Sequence, residues 1–464
     1  MSSYKTPKKI LVITSLCGGG HIQAAKAQAV KVLKENPMAT IIEKDILIDW
    51  VGKRFGKTFV RIWNASQKHG NLTILNFLSK NVPTADIVLW PYIFLRSFFT
   101  LLKENVDQII DTQPIGTPAI IKAIKCVQKI NQKPLKLEKI VTELPTDHVI
   151  HFFKPIKKLS KENRSLVKLI STAPLLRQQQ TADIFWQHFC GLRENEICYA
   201  KFPLRPSFDK YHRIASPLTR QTQIEIKVAS YEEKHLIANT IKKGTLRTEI
   251  YRDKIAITIE STDKVATILL GSQPAEESTI KYVKNYIKMV QQATNLRLQK
   301  KRQELYPSHK TFFDLNRHLL FVFCNYHVEH KTTLLRRVHD FIQKIDAYPQ
   351  NLTIIPMCFQ GDEVIAPLYY RSDATFTRSG GLTSMELMAV AQGQIWIHSE
   401  IKHEQKKPHA LHKGMPLWES GNATYLKEKK GARLITPGTF FQECRSFFFR
   451  DTPNSIKKGN FLDG

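Results

Sequence analysis

The chain has 464 residues and carries 69 Lys and Arg against 41 Asp and Glu, a formal net charge of +28. At 42% hydrophobic and 24% charged it has a folded, soluble composition, which excludes a disordered chain, a collagen-like chain and a multi-span membrane protein. The length fits two or three domains, and the charge points to an anionic partner: a nucleic acid, an acidic membrane surface or a phosphorylated substrate.

Seven scattered cysteines, odd in number and without a C-x-x-C pair, argue against a disulfide framework or a zinc knuckle and for a reducing compartment. The apolar run Ile10–Ile13 is too short for a signal-peptide core. The stretch from Ile87 to Leu102 is interrupted by Pro91 and Arg96 and falls short of a spanning helix. A cytosolic chain is expected.

The first element is a buried strand over 8–14, followed by the loop Ser15-Leu16-Cys17-Gly18-Gly19-Gly20-His21. Ile22, Ala25, Ala29, Val32 and Leu33 then recur at helical spacing, so strand, glycine loop and helix open a doubly wound α/β domain. Further strands are expected at 39–45, 106–110 and 139–142, with a helix around 118–129. Between 55 and 103 aromatics and bases interleave: Phe55, Phe59, Arg61, Trp63, Trp90, Tyr92, Phe94, Arg96, Phe98 and Phe99. They fit one or two helices packed on the sheet, or an element at a membrane interface, where aromatic rings and bases meet headgroups.

Phe202-Pro203-Leu204-Arg205-Pro206 reads as a stiff interdomain crossover, and 211–262 is polar with no legible motif. Val265–Gly271 is again a buried strand ending in glycine. The alternation resumes with helices at 278–296, 334–345, 364–371 and 383–391, and strands at 319–324, 351–356, 374–377 and 394–398. The expected organisation is therefore a first domain over 1–205, a linker and insertion over 206–264, a second domain over 265–440 and a tail over 441–464. The tail, aromatic and basic, either folds back on the first domain or stays loose.

Two glycine loops carry the chemistry. Gly18, Gly19 and Gly20 precede a helix and expose backbone N–H groups at its positive end, although a tight turn alone would use the same residues. His21, in that helix's first turn, faces the crevice at the sheet's carboxyl edge, where a neutral imidazole can act as general base; a structural histidine is the plain alternative. In Arg378-Ser379-Gly380-Gly381-Leu382-Thr383-Ser384-Met385-Glu386 a second strand ends in glycines. Thr383 or Ser384 can cap the helix, the loop can hold a diphosphate, and Glu386 can accept two ribose hydroxyls or serve only as a first-turn acid.

Six segments, in order, complete a pattern: Ser15-x-x-Gly18-Gly19-Gly20-His21-x-x-Ala24-Ala25; Gln113-Pro114 after a strand; Thr142-Glu143-Leu144-x-x-x-His148; Phe202 through Phe208; Thr377-Arg378-Ser379-Gly380-Gly381-x-Thr383-x-x-Glu386; and Trp418-Glu419-Ser420-Gly421-Asn422-Ala423-Thr424-Tyr425-Leu426. Together they resemble the GT-B glycosyltransferases of the branch holding monogalactosyldiacylglycerol synthase, the processive diacylglycerol glucosyltransferases and the lipid II-forming N-acetylglucosaminyltransferase.

The resemblance implies an α/β GT-B fold, two Rossmann-like domains facing across a cleft. The first would bind the acceptor and the membrane, the second a UDP-sugar as co-substrate. Glu386 would take the ribose hydroxyls; Ser379, Gly380, Gly381 and Thr383, with Gly18–Gly20 opposite, would cradle the diphosphate, and the helix end would offset charge on departing UDP. His21 would be the base and His148 would line the acceptor cleft. Glu419 and Asn422 would touch sugar hydroxyls. The reaction would be a metal-independent, cofactor-free, inverting transfer of a hexose to a membrane lipid such as diacylglycerol, by a cytoplasmic protein held peripherally at an anionic membrane. A protein or small-molecule acceptor, or a catalytically silent scaffold on anionic membranes, are the alternatives. Nucleic acid is disfavoured because the basic residues are dispersed and no recognition motif appears.

The chain departs from that pattern at Trp418, in place of Gln, at Glu143, in place of Asp, and at Arg378, in place of Lys. The segment 398–417 is longer than the pattern and rich in His403, Lys406, Lys407, His409, His412 and Lys413; irregular spacing makes it a solvated or phosphate-facing loop rather than a metal site.

Overall fold

The computed structural model of the protein describes residues 7–17, 19–200, 204–212, 221–271, 274–303, 316–324, 333–401 and 412–449. Gly18, residues 201–203 of the crossover, His403, Lys406, Lys407 and His409, and the tail beyond 449 lie outside the described residues.

Ile10, Leu11, Val12 and Ile13 are wholly buried, because β1 (Lys9–Thr14) is covered on both faces and flanked on both edges. Helix α1 (Gly19–Glu35) carries the chain to β2 (Thr40–Asp45), and β3 (Gln108–Asp111), β4 (Leu137–Ile140), β5 (Val167–Ser171) and β6 (Ile197–Tyr199) complete a parallel sheet of order β2-β1-β3-β4-β5-β6. Where one or two helices were expected there are four: α2 (Lys53–Lys68), α3 (Leu72–Lys80), α4 (Val82–Val88) and α5 (Trp90–Glu104). Helices α6 (Thr117–Asn131), α7 (Ile150–Lys157), α8 (Lys161–Arg164) and α9 (Ala182–Cys190) complete the first half, and α10 (Pro206–His212) follows the crossover.

The segment without a motif forms a small antiparallel sheet of order β7-β9-β8, from β7 (Thr222–Lys227), β8 (Thr248–Ile250) and β9 (Lys254–Ile259), with α11 (Tyr231–Ile241). Its alternate isoleucines, Ile224, Ile226, Ile255, Ile257 and Ile259, enter the second domain's core.

The second domain sets β10 (Lys264–Leu269), β11 (His318–Phe323), β12 (Leu352–Met357), β13 (Ala374–Thr377), β14 (Gln394–His398) and β15 (Arg433–Ile435) in a parallel sheet of order β12-β11-β10-β13-β14-β15. Its helices are α12 (Glu276–Gln303), α13 (Thr333–Gln343), α14 (Asp362–Arg371), α15 (Gly381–Val390), α16 (Leu417–Lys430) and α17 (Phe440–Phe449). The start of the tail is neither loose nor folded onto the first domain. Helix α17 buries Phe440 and Cys444 in the second domain's core, with the Phe440 ring 6.1 Å from Tyr282 and 5.6 Å from Phe376, because its aromatic stripe faces that sheet.

In each six-stranded sheet the strand order reverses beside the first strand, between β1 and β3 and between β10 and β13. Loops leaving the carboxyl ends diverge at such a point and open a crevice. The two crevices face each other across one cleft, which is the GT-B architecture.

Candidate active site

His21 stands at the first of these switch points. Its Nδ1 lies 2.9 Å from the Thr112 carbonyl oxygen and 3.2 Å from Thr142 Oγ1. A carbonyl only accepts, so Nδ1 carries the proton and Nε2 keeps its lone pair. Burial lowers the imidazole to about 4, outweighing the bond to Thr112 that pulls it up, and the nearby Lys139 charge lowers it further. His21 is therefore neutral at physiological pH.

Lys139, fully buried on β4, braces the turn beneath His21. Its Nζ donates to Asp111 Oδ2 at 2.6 Å, to Thr117 Oγ1 at 2.9 Å and to the Gln113 carbonyl. These bonds fix residues 111–117, and with them the Thr112 carbonyl that orients His21. A single lysine in a strand gave no sequence signal of this role.

At the second switch point β13 runs into Arg378, Ser379 and Gly380, the last being the N-cap of α15. A Cβ at Gly380 would meet nothing within 4 Å, so this peptide faces open space. A Cβ at Gly381 would collide with the Thr142 carbonyl oxygen and lie 2.6 Å from Glu143 Oε2, so only glycine lets the domains approach here. The other glycine helix end is close by: a Cβ at Gly20 would sit 4.0 Å from Leu382 Cβ. Thr383 lines the same cavity.

Several polar groups expected to meet ligand are engaged by the protein itself. Glu386 is buried and accepts from Arg205 Nε and Nη2 at 2.6 and 2.7 Å. Ser379 Oγ donates to the Glu419 carbonyl at 2.7 Å. Asn422 joins the two domains: its Nδ2 donates to Glu143 Oε2 at 2.5 Å and to the Ser379 carbonyl at 2.7 Å, while its Oδ1 accepts from the Leu144 N–H at 2.9 Å. Burial pushes the Glu143 carboxyl up to about 8; the Asn422 bond opposes this and the Glu419 charge adds to it. Arg378 is buried, with Nε 3.2 Å from Glu419 Oε2 and Nη1 3.3 Å from the Gln67 carbonyl oxygen. Its Nη2 is buried without a hydrogen-bond partner, an unspent donor at the cavity wall.

The cavity between the domains measures about 180 Å³ and is lined by His21, Glu143, Arg378, Thr383, Glu386 and Glu419. Trp418, at the position expected to hold Gln, closes one side by stacking on Trp63 at 5.6 Å and 16°. Trp63 continues a ladder along α2 to Phe59 at 6.4 Å and Phe55 at a further 6.5 Å. Helix α2 thus reaches from the surface into the cleft, an interdomain role the aromatic pattern alone did not reveal.

His148 is half-buried, 3.5 Å from Asp147; it is not among the residues lining this cavity, and its Cβ lies 3.1 Å from where a Cβ at Gly421 of α16 would sit. One helical turn on, at the start of α7, His151 packs 6.2 Å from Trp418 and 5.0 Å from Phe152. Among the described residues no group of three His, Cys, Asp or Glu side chains converges as a metal site would require.

No protein-family model and no curated protein matches this sequence. Among solved structures, Acinetobacter baumannii MurG superposes with a TM-score of 0.41 at 10% identity, covering 96% of this chain and 91% of that one. Neisseria meningitidis UDP-GlcNAc 2-epimerase bound to UDP-GlcNAc gives 0.38 at 10% identity, covering 95% and 99%. The spinosyn rhamnosyltransferase SpnG complexed with thymidine diphosphate gives 0.35 at 8%, covering 94% and 100%. Likeness at this level carries no conclusion about substrate. The class rests on the two doubly wound sheets and their opposed switch points.

Proposed function

We propose that the protein is an inverting, metal-independent glycosyltransferase that moves a hexose from a UDP-sugar to a hydroxyl of a membrane lipid. One observation carries the proposal: a neutral His21, its Nδ1 fixed and its Nε2 free, faces the N-terminus of α15 across a single cleft. His21 Nε2 would take the acceptor hydroxyl proton as the oxygen attacks the sugar C1. The C1–O bond to the diphosphate would break with its electron pair leaving on UDP, inverting C1. The α15 N–H groups and Arg378 would meet the developing charge.

Glu386 keeps a second lone pair on each oxygen, so ribose binding would add to, or partly displace, the Arg205 fork. Asn422 would reach a sugar hydroxyl only by releasing Glu143, which couples sugar binding to domain opening. Peripheral attachment to an anionic cytoplasmic membrane face is supported by the exposed Phe55, Ile62, Phe77, Tyr92 and Phe99, set among the bases of α2–α5.

A silent scaffold is the second reading, favoured by the same engagement of Glu386 and Asn422. UDP release from a panel of UDP-sugars with diacylglycerol vesicles separates the two. The transferase reading expects turnover that falls about 10²–10⁴-fold in His21→Ala. No turnover, and no thermal stabilisation by any UDP-sugar, leaves the scaffold.

A further inference from the structure

A second cavity, of about 360 Å³, opens in the elbow where α4 meets α5 at a 64° bend. Val82, Ile87, Trp90 and Pro118 give it apolar walls, and α7 closes its far side with Lys154, followed by Lys158. Asp86 lies at its floor, accepting the Gly116 N–H at 2.6 Å; burial raises its carboxyl to about 6, against that bond and the Lys139 charge, with Lys158 also near enough to favour the ionised form. His151 lines the cavity too, and burial lowers it to about 3, so it is uncharged. Two lysines against one aspartate leave the groove net positive.

Two further observations say what fills it. The outer face of the same bent helix pair is apolar and exposed, with Ile87 at 71%, Val88 at 63% and Phe99 at 59% of full exposure. A contiguous face of this kind marks a contact with membrane or partner. His151, at the inner end of the groove, separates it from the candidate active-site cleft by a single layer of rings: it packs on Trp418 and on Phe152, itself 6.1 Å from the His21 ring.

We infer that the elbow of α4 and α5 receives a hydrocarbon chain of an anionic phospholipid whose phosphate is met by Lys154 and Lys158, and that a free hydroxyl of this phospholipid's headgroup is the acceptor. The inference rests on the glycosyltransferase reading and narrows it from lipids in general to hydroxyl-bearing anionic phospholipids. The headgroup O–H gives its proton to His21 Nε2 while its oxygen bonds to the sugar C1, and the C1–O bond to the diphosphate breaks with its electrons leaving on UDP. Atoms and charge balance without a further reagent.

The test uses phosphatidylglycerol with a diazirine in one acyl chain, in phosphatidylcholine vesicles, with the full chain. Photolabelled peptides are mapped, and sugar transfer to phosphatidylglycerol is compared with transfer to diacylglycerol. Label is expected at 82–91 and 151–158, and transfer is expected to favour phosphatidylglycerol. The double variant Lys154→Glu with Lys158→Glu, both exposed positions, is expected to lose labelling and transfer about ten-fold or more. Label spread elsewhere, equal label from a diazirine diacylglycerol, or indifference to the double variant overturns the inference. Label in the groove without sugar transfer to any lipid leaves a lipid groove in place and overturns the glycosyltransferase reading together with the acceptor assignment.

Discussion

Arg205 and Glu386, 181 residues apart, meet in a buried two-bond fork at 2.6 and 2.7 Å. Arg205 belongs to the crossover between the domains and also lies 5.2 Å over the Phe208 ring. Glu386 stands on α15, on the second domain's side of the cleft. The fork therefore ties the hinge to the carboxylate that a ribose would seek. Burial raises the Glu386 carboxyl and the Arg205 charge pulls it back down, so removing either partner strands a buried ion.

The first prediction follows from that pairing. Arg205→Ala or Glu386→Ala should each cost about 3–5 kcal/mol, the usual penalty for one uncompensated buried charge. Combining Arg205→Ala with Glu386→Ala should cost less than the sum of the two single changes, because no charge is left unpaired. Urea denaturation of the three variants decides it; strict additivity would mean that the fork carries no coupling.

The adjacent glycines of α15 should separate packing from ligand contact. Gly381→Ala places a methyl against the Thr142 carbonyl and Glu143, so it should cost about 1–3 kcal/mol and loosen the contact between the domains. Gly380→Ala meets no protein atom and should leave the melting temperature unchanged while weakening UDP binding. Differential scanning calorimetry paired with UDP titration reads both. Equal melting-point losses in the two variants would contradict the assigned close approach.

Glu143 predicts a pH dependence. Its carboxyl, near 4.5 when unfolded, rises to about 8 on folding. The folded state thus holds a proton that the unfolded chain gives up, and stability falls as pH climbs from about 4.5 towards 8, then levels. Glu143→Gln can still accept the Asn422 bond and carries no titrating proton. It should flatten the profile and be more stable than the parent at pH 8, by on the order of a few kcal/mol. Melting curves taken across this interval test it, and parallel profiles for the two proteins would place the proton elsewhere.

The sequence made the parallel core legible because its signals are local. Continuous apolar runs such as Ile10–Ile13 and glycine pairs such as Gly380-Gly381 mark central strands and the turns leaving them, and α1 and α15 begin within a few residues of the expected positions. Distant partners leave no such mark. Lys139 beneath His21, Arg205 on Glu386 and Asn422 across the cleft depend on side chains brought together by tertiary packing. The insertion strands carry a weaker signal, because Ile224, Ile226, Ile255, Ile257 and Ile259 alternate with Glu225, Ala256 and Thr258 in a segment whose overall composition is polar. The start of α7 is equally unmarked: it lies at Ile150, so His151, which no motif singles out, packs on Trp418, while His148 precedes the helix.

The stack of Trp63 on Trp418 turns the most visible departure in the donor motif into a prediction. A glutamine at 418 would offer an amide to the cleft; tryptophan instead packs against an α2 ring with centroids 5.6 Å apart. The same end of α2 bonds Arg378 through the Gln67 carbonyl and pairs Lys68 with Glu276 at 2.9 Å. The aromatic pair thus joins these two contacts in holding α2 to the second domain. A double-mutant cycle of Trp63→Ala and Trp418→Ala should show a coupling of about 0.5–1.5 kcal/mol in stability, the range for stacked aromatic pairs. Trp63→Phe, which keeps a ring to stack, should retain part of it. Each single variant should also weaken UDP-sugar binding, because Trp63 and Trp418 both line the cavity and α2 holds Arg378 through the Gln67 carbonyl. A coupling near zero, with UDP-sugar affinity intact in Trp63→Ala, would reduce the stack to incidental packing and detach α2 from the donor site.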